Sequence, residues 1–395
     1  MLTAEEALRK ILQQARPTPE ERVPLSQALG RVLSQAVSAD RDEPAFTNSA
    51  VDGWAVRSAD LHTHGSLLRV VGESAAGGPP PPAVEAGTCV RIFTGAPLPS
   101  GADAVVMQED CTYDAGRVEI SAAVQPGENL RVRGCVRTAG ERIAEAGTRI
   151  GAAEVMALAS VGCVQPLCRA RPRVAVFSTG DELVPPQEIP GPYQLRDSNR
   201  MALEALVLQN GGDTVISACL PDDPEAVRRA LRSGGECDLI LTSGGVSVGD
   251  RDCIRPAVEE LGEISLWRIS IKPGKPLAFG SVGTALFMGL PGNPLSTIIT
   301  FELFARPLLW ALQGSTRFTR KRVQGTLAQP VAHRPGRTEY LAVRAEWHHN
   351  RWSFSPLGGR GSGDTAAMVG ADALAVIPAD AEDMPAGSHV EAILL

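Results

Sequence analysis

The 395-residue sequence has no C-x-x-C pair among its eight cysteines and no histidine at zinc-finger spacing from them, which excludes a zinc ribbon and a dithiol redox centre. It has no basic excess. Its 38 Lys and Arg stand against 45 Asp and Glu, a net charge of −7, so no overall field holds a polyanion and nucleic-acid binding is not expected. It also lacks a long charge-free apolar run. The most apolar stretch, residues 298–312, contains Glu302, Arg306 and Pro307 and reads as too short and too polar to span a bilayer, so no membrane role is expected. Without a signal-peptide pattern, the cysteines read as free thiols in a reducing compartment, and a cytoplasmic location is expected.

What is present is an ordinary soluble composition, 44% hydrophobic and 21% charged, punctuated by 40 Gly and 30 Pro. The length suggests about two to three domains. Thr3-Ala-Glu-Glu6 is a capping box ahead of Leu8, Ile11, Leu12 and Ala15 at helical spacing. From residue 41 to 137, short β-like runs (54–57, 67–71, 89–93, 104–108) alternate with Gly and Pro, and the proline run 79–82 reads as a loop. From 173 the texture becomes alternating strand and helix: strands at 174–178, 214–219, 239–242, 264–271 and 284–289, helices at 199–209, 224–232 and 252–261, then a long helix from about 293. Such alternation predicts a parallel sheet with helices on both faces. Beyond 314, the runs 323–331, 339–347, 352–355, 373–377 and 390–394 are strands without helices between them. The fold class is thus α/β plus β: a three-layer α/β/α domain over 173–315, a β insertion over 41–137 and a C-terminal β domain over 316–395.

In an open α/β sheet ligands bind beyond the carboxyl ends of the strands. Here those ends are polar and glycine-rich. One strand runs into Thr179-Gly-Asp-Glu182, and another into Ser243-Gly-Gly-Val-Ser247-Val-Gly-Asp-Arg-Asp252 and a helix. A Gly/Ser loop at a helix start suits an oxyanion, although this one matches neither the Walker A pattern nor G-x-G-x-x-G. Glu182, Asp222, Asp223, Asp250 and Asp252 all follow strands expected side by side, and clustered carboxylates suit a hard cation such as Mg²⁺. The alternative is that Asp222, Asp223 and Asp252 simply cap the helices that follow, and for Asp223, just before Pro224, the cap is the better reading. Arg268, Lys272 and Lys275 bring positive charge to the same edge, where Lys272-Pro-Gly-Lys275 sets two ammonium groups around one turn. Pro291-Gly-Asn293-Pro294 opens the long helix, with Asn293 a natural N-cap.

Taken together, Ser178-Thr-Gly-Asp-Glu182, the 243–249 loop, Lys272-Pro-Gly-Lys-Pro276 and Leu290-Pro-Gly-Asn-Pro294 resemble the molybdopterin molybdenumtransferases in order and spacing. Asn48-Ser-Ala-Val-Asp-Gly53 and Arg91-Ile-Phe-Thr-Gly-Ala96 resemble the two motifs of that family's β insertion. Val51 and Trp54 stand where the family often has Met and Tyr or Phe, and Arg268 where some members carry Lys. The Gly358-Gly-Arg-Gly-Ser-Gly363 run matches least distinctly and reads as a flexible loop.

The resemblance implies a cytoplasmic enzyme that takes adenylylated molybdopterin and molybdate, hydrolyses the adenylyl bond with Mg²⁺, releases AMP and leaves molybdenum on the dithiolene. It implies Glu182, Asp222, Asp252, Asp52 and Thr94 as catalytic residues, with Glu182 and Asp252 on the metal. It further implies Arg268, Lys272, Lys275, Ser243, Gly244, Gly245, Ser247, Pro291, Asn293 and Pro294 as substrate-binding. The implied fold has four domains, with residues 1–40 and 138–172 together forming an elongated N-terminal linker domain and the C-terminal domain barrel-like. The implied assembly is a homodimer whose cleft takes Asp52 and Thr94 from the partner, with transient contact to the molybdopterin adenylyltransferase. Two rivals follow from the same residues. One is an adenylyltransferase, against which the extra domains argue; the other is a non-catalytic scaffold, since gephyrin has a similar region, and the retained acidic and basic loops argue against it.

Overall fold

The computed structural model describes the chain except residues 63–64, 122, 247–252 and 359–360. It separates into two compact units, Met1–Gln35 with Ala146–Val155 and Gln165–Leu395, and Ala36–Glu145 with Met156–Val164.

The first unit is built on a six-stranded sheet. In chain order its elements are β1 (Arg173–Thr179), α1 (Ser198–Gln209), β2 (Asp213–Leu220), α2 (Pro224–Gly234), β3 (Leu239–Ser243), α3 (Ile254–Leu261), β4 (Gly262–Trp267), β5 (Ala278–Val282), β6 (Ala285–Leu290) and α4 (Pro294–Thr300). The strand order is β2-β1-β3-β6-β5-β4. The pleat sends alternate side chains to opposite faces. Val174, Val176, Leu239, Leu241 and Met288 join one apolar cluster with Leu203 and Val207 of α1 and with Phe301 and Phe304. Ala175, Phe177, Ile240 and Phe287 join the other, with Val227 and Leu231 of α2 and Ile254 and Val258 of α3. Both faces are therefore covered, as near-continuous apolar strands require.

The sheet is parallel through β2, β1, β3 and β6 but antiparallel at β6–β5 and β5–β4, a departure from the wholly parallel sheet that the alternation suggested. A tight turn at Gly283 (φ +58°) joins β5 to β6 as a hairpin. The single strand expected over 264–271 also divides. Arg268 takes a left-handed φ of +70°, and Ile269 N–H donates to Lys275 O, so the chain leaves the sheet. Ile271–Lys272 pairs instead with Thr338–His348.

Helix α4 runs through a π-turn (Phe301–Ala305) into Arg306–Leu312. The whole of Pro294–Leu312 is 19 residues, longer than the 298–312 stretch marked in the sequence, and by length and composition alone it would cross a membrane. Its most apolar window is 78% buried inside the protein, which makes it a core helix. The N-terminal helix, Ala4–Gln14, adds Ala7 and Ile11 to the same cluster. Its capping box forms, with Thr3 Oγ1 accepting from Glu6 N–H at 3.2 Å and Glu6 Oε2 from Thr3 N–H at 2.9 Å.

The C-terminal strands close into a five-stranded barrel. Thr338–His348, Arg351–Pro356, Arg322–Leu327, His389–Leu394 and Ala373–Ile377 pair in that order, and the last pairs back with the first. Leu327, Val343, Phe354 and Ala375 fill it.

The second unit holds another six-stranded sheet, ordered Ala104–Met107, Gly53–Val56, Thr88–Ile92, Ser66–Ser74, Arg117–Ile120, Cys111–Asp114. The proline run lies in the loop before Thr88. Gly53 is dictated by close approach: a Cβ there would lie 1.9 Å from Val106 O.

Candidate functional site

The carboxyl ends of β1, β2, β3 and β6 lie side by side, and β4, antiparallel to β5, ends at the same edge. The acidic residues of the first two loops come together there. Asp222 N–H donates to Asp181 Oδ1 at 3.0 Å, and Cys253 Sγ at the start of α3 reaches Asp222 O at 3.7 Å. Glu182 is exposed and folds back over Gly180, where a Cβ would lie 2.6 Å from its Oε2. Asp223 is a cap, as its position before Pro224 suggested: its carboxylate accepts from Ala226 N–H at 2.7 Å. Asp252 and Ser247 lie outside the described residues. Among the described residues no three His, Cys, Asp or Glu side chains group closely enough to hold a metal ion alone. The oxygen donors at this edge are the exposed Glu182 carboxylate and that of Asp181, the donor type that Mg²⁺ combines with water and phosphate.

The glycine loop after β3 needs its glycines. Gly244 and Gly245 have φ of +91° and +63°, and a Cβ on Gly245 would lie 2.5 Å from Ile254 Cγ1. Gly244 N–H donates to Leu290 O at 3.2 Å, joining this loop to the turn after β6. Ser243 is buried, and its hydroxyl is committed internally, accepting from Asn199 and donating to Pro291 O at 3.3 Å. A ligand at this loop therefore meets backbone and not the Ser243 hydroxyl. Asn293 occupies the N-cap position of α4 but its side chain makes no capping bond. Its Nδ2 donates instead to Ser362 Oγ at 3.0 Å, while Leu295 N–H donates to Ser362 O at 3.1 Å. Ser362, in the glycine run expected to be a free loop, is thus docked on the start of α4, and Pro291 and Pro294 fix the turn between them.

The basic residues meet the barrel. Lys272 and Lys275 line an open cleft of about 730 Å³ with His333, Arg334, Arg337 and Asp383. Lys272 Nζ is paired with Glu339 Oε2 at 2.9 Å, and the same oxygen meets His333 Nδ1 at 2.8 Å. Arg337 also donates to Ile271 O at 3.2 Å, which ties the two turns together. Arg334 and Arg337 escaped sequence reasoning although a signal was there: Arg334-Pro-Gly-Arg337 repeats the pattern of Lys272-Pro-Gly-Lys275. Arg268 stands at the end of β4, on the same sheet edge as the acidic loops. Asp197 and Asn199 of the Asp197-Ser-Asn199 segment were also missed. Asp197 caps α1 and accepts from Ser178 Oγ at 2.7 Å.

Asp52 and Thr94 are neighbours in the second unit. Asp52 Oδ1 accepts from Thr94 N–H at 2.7 Å and from Thr94 Oγ1 at 2.8 Å. The backbone N–H and then the hydroxyl of Thr94 hold the carboxyl below the ordinary aspartate range, helped by the charge of Arg91. Arg91 is itself fixed between the Trp54 and Phe93 rings, its guanidinium carbon 5.1 Å from each. Because the folded value is depressed, the contribution of this contact is present at neutral pH and lost as pH falls through the folded value. Thr94→Val, which keeps the N–H and removes the O–H, is expected to raise the Asp52 value toward the ordinary one. A carboxyl carbon NMR titration showing no change would mean that the N–H alone sets it.

Three family profiles match the chain in sequence: the MoeA N-terminal region (domain I and II) over residues 2–162, a probable molybdopterin binding domain over 175–311, and the MoeA C-terminal region (domain IV) over 324–395. A molybdopterin molybdenumtransferase from Nostoc sp. is 36% identical over 381 residues, covering 94% of this chain and 87% of that protein. Gephyrin from Dictyostelium discoideum is 31% identical across the whole chain, which spans 62% of it. A crystal structure of a molybdopterin biosynthesis MoeA protein from Pyrococcus horikoshii superposes over 100% of this chain and 99% of that one, with TM-score 0.84 and 30% identity.

Proposed function

The chain belongs to the molybdopterin molybdenumtransferases, enzymes of molybdenum-cofactor biosynthesis, and from that premise we propose that it inserts molybdenum from molybdate into adenylylated molybdopterin with hydrolysis of the adenylyl bond. The observation that carries the reading is that the acidic loops after β1 and β2 and the end of β4, which leads into the basic Lys272-Pro-Gly-Lys275 turn, share one sheet edge.

In this reading Lys272, Lys275 and Arg268 neutralise the oxyanions, with Arg337 beside them. A tetrahedral dianion such as molybdate suits a cleft that Lys275, Arg334 and Arg337 line with ammonium and guanidinium groups beside the Lys272–Glu339 pair. The backbone of Gly244 and Gly245, with Ser243 behind it and Ser247 after it, receives the pterin or phosphate end, and Pro291, Asn293 and Pro294 form the floor. Glu182 and Asp252 would hold Mg²⁺, which when bound supplies charge neutralisation at the phosphate. Asp222 orients the attacking water. Hydrolysis at phosphorus asks mainly for positioning and charge stabilisation, and AMP leaves while molybdenum stays on the dithiolene sulfurs. Asp52 and Thr94 would complete the cleft from the partner subunit of a homodimer, Asp52 arriving ionised. The four-part division at 40, 137, 172 and 315, a cytoplasmic location and a transient contact with the adenylyltransferase belong to the same proposal.

The similarity to gephyrin favours a second reading, a scaffold that binds without turnover. The two separate when purified protein is mixed with adenylylated molybdopterin, Mg²⁺ and molybdate. Molybdate-dependent AMP release with molybdenum retained on the pterin is expected. Tight binding with no AMP would leave the scaffold.

A further inference from the structure

The loops read as the active site come from strands far apart in sequence, and something must hold them at one spacing. Backbone bonds do part of this, through Gly244 N–H to Leu290 O. Side chains add to this, and Asn199 reaches both loops at once. Asn199, in the first turn of α1, donates from Nδ2 to Ser243 Oγ at 2.9 Å and to Gly292 O at 2.7 Å. A carbonyl oxygen can only accept, so the amide nitrogen must face Gly292 and the orientation of the amide is fixed. Ser243, receiving that hydrogen, turns its own toward Pro291 O, which also accepts from Thr297 Oγ1 at 2.6 Å. The base of Asn199 is equally constrained. Asp197, 1% exposed, accepts from Ser178 Oγ, from Arg200 N–H at 3.2 Å and from Arg200 Nε at 2.8 Å. One continuous set of bonds thus links the ends of β1, β3 and β6 to the start of α4.

We infer that Asn199 is a positioning residue, the side chain that sets the distance between the 243–245 loop and the 291–293 turn; this rests on those loops forming the substrate cradle proposed above. Its contribution depends on both amide hydrogens. Aspartate has the same shape but no donor, and would set a carboxylate against Gly292 O.

The test compares Asn199→Ala, Asn199→Asp, Ser243→Ala and the Asn199→Ala/Ser243→Ala double variant in the full chain. The first readout is hydrogen exchange at the Gly244 and Thr297 amides without substrate, and the second is steady-state AMP release. Both Asn199 variants are expected to exchange faster at these amides with melting temperatures kept. Their kcat is expected to fall about 10²-fold with KM little changed, the scale of a small displacement of reacting groups. The double variant should lose less than the two single losses combined, because Asn199 acts partly through Ser243. Unchanged exchange and turnover would overturn the inference. So would lost turnover with unchanged exchange, which would put Asn199 on the substrate, or a loss that tracks a fall in melting temperature. If the wild type releases no AMP, the reading of the site fails, while the exchange data still decide whether Asn199 joins the loops.

Discussion

Glu182→Gln is expected to lower molybdate-dependent AMP release by about 10²- to 10³-fold, the scale of removing one preorganised charge from a transition state. The variant keeps the size of the side chain and its fold over Gly180, whose missing Cβ gives the carboxylate its position 2.6 Å from where that atom would stand. Only the charge that serves the cation and the developing phosphate oxyanions is removed. Asp223→Asn is the matched control. Its carboxylate is spent on Ala226 N–H, and Asn is as good a cap, so neither activity nor stability should move much. Equal losses in the two variants would show that the rate follows the summed negative charge of the edge, not Glu182. An active Glu182→Gln enzyme would shift the assignment to Asp222 and Asp252.

That contrast between Glu182 and Asp223 could be drawn from sequence, because Pro224 marks a helix start and a capping carboxylate is a local feature. Local signals carried far in this chain. The Thr3 box, the near-continuous apolar runs of β1 and β3 and the glycines of the 244–245 turn all act within a few residues, and each formed as its chemistry dictates. The expected neighbours in the α/β sheet and the C-terminal barrel formed as well, and what was missed lies where partners from elsewhere in the chain redirect a short segment. Residues 264–271 have strand-like composition throughout, yet the bonds of 268 and 269 to Leu277 and Lys275, and the pull of Thr338–His348 on Ile271–Lys272, break them in two. Asn293 has an N-cap's identity and position, but Ser362, in the loop between two barrel strands, takes its amide. The candidate site divides in the same way. Acidic and glycine-rich loops were legible as motifs, whereas Arg334 and Arg337 became site residues only when a barrel loop was seen beside Lys272 and Lys275.

Glu302→Ala is expected to cost about 3–5 kcal/mol of stability, the penalty of leaving the buried Arg306 without its counter-charge. Glu302 and Arg306 are 6% and 3% exposed, with Arg306 Nε 3.0 Å from Glu302 Oε2. Arg320 reaches the same carboxylate from beyond the helix, at 2.8 Å and 3.2 Å. Burial pushes the Arg306 guanidinium down to about 10 and Glu302 pulls the other way, so the group stays charged at neutral pH. Its Nη1 donates to Phe318 O at 3.1 Å, and its guanidinium carbon lies 4.8 Å from the Trp310 ring centre. Helix 294–312 begins at the Pro-Gly-Asn-Pro turn of the site, passes the π-turn that holds Glu302, and ends just before the segment that enters the barrel at Arg322. One buried carboxylate therefore fixes the helix to the chain that carries the basic Arg334-Pro-Gly-Arg337 turn back to the Lys272 turn. The urea midpoint followed by circular dichroism measures the loss. A Glu302→Ala midpoint equal to the wild type would mean that Arg306 and Arg320 find other partners, and that the barrel is held to the helix by apolar packing alone.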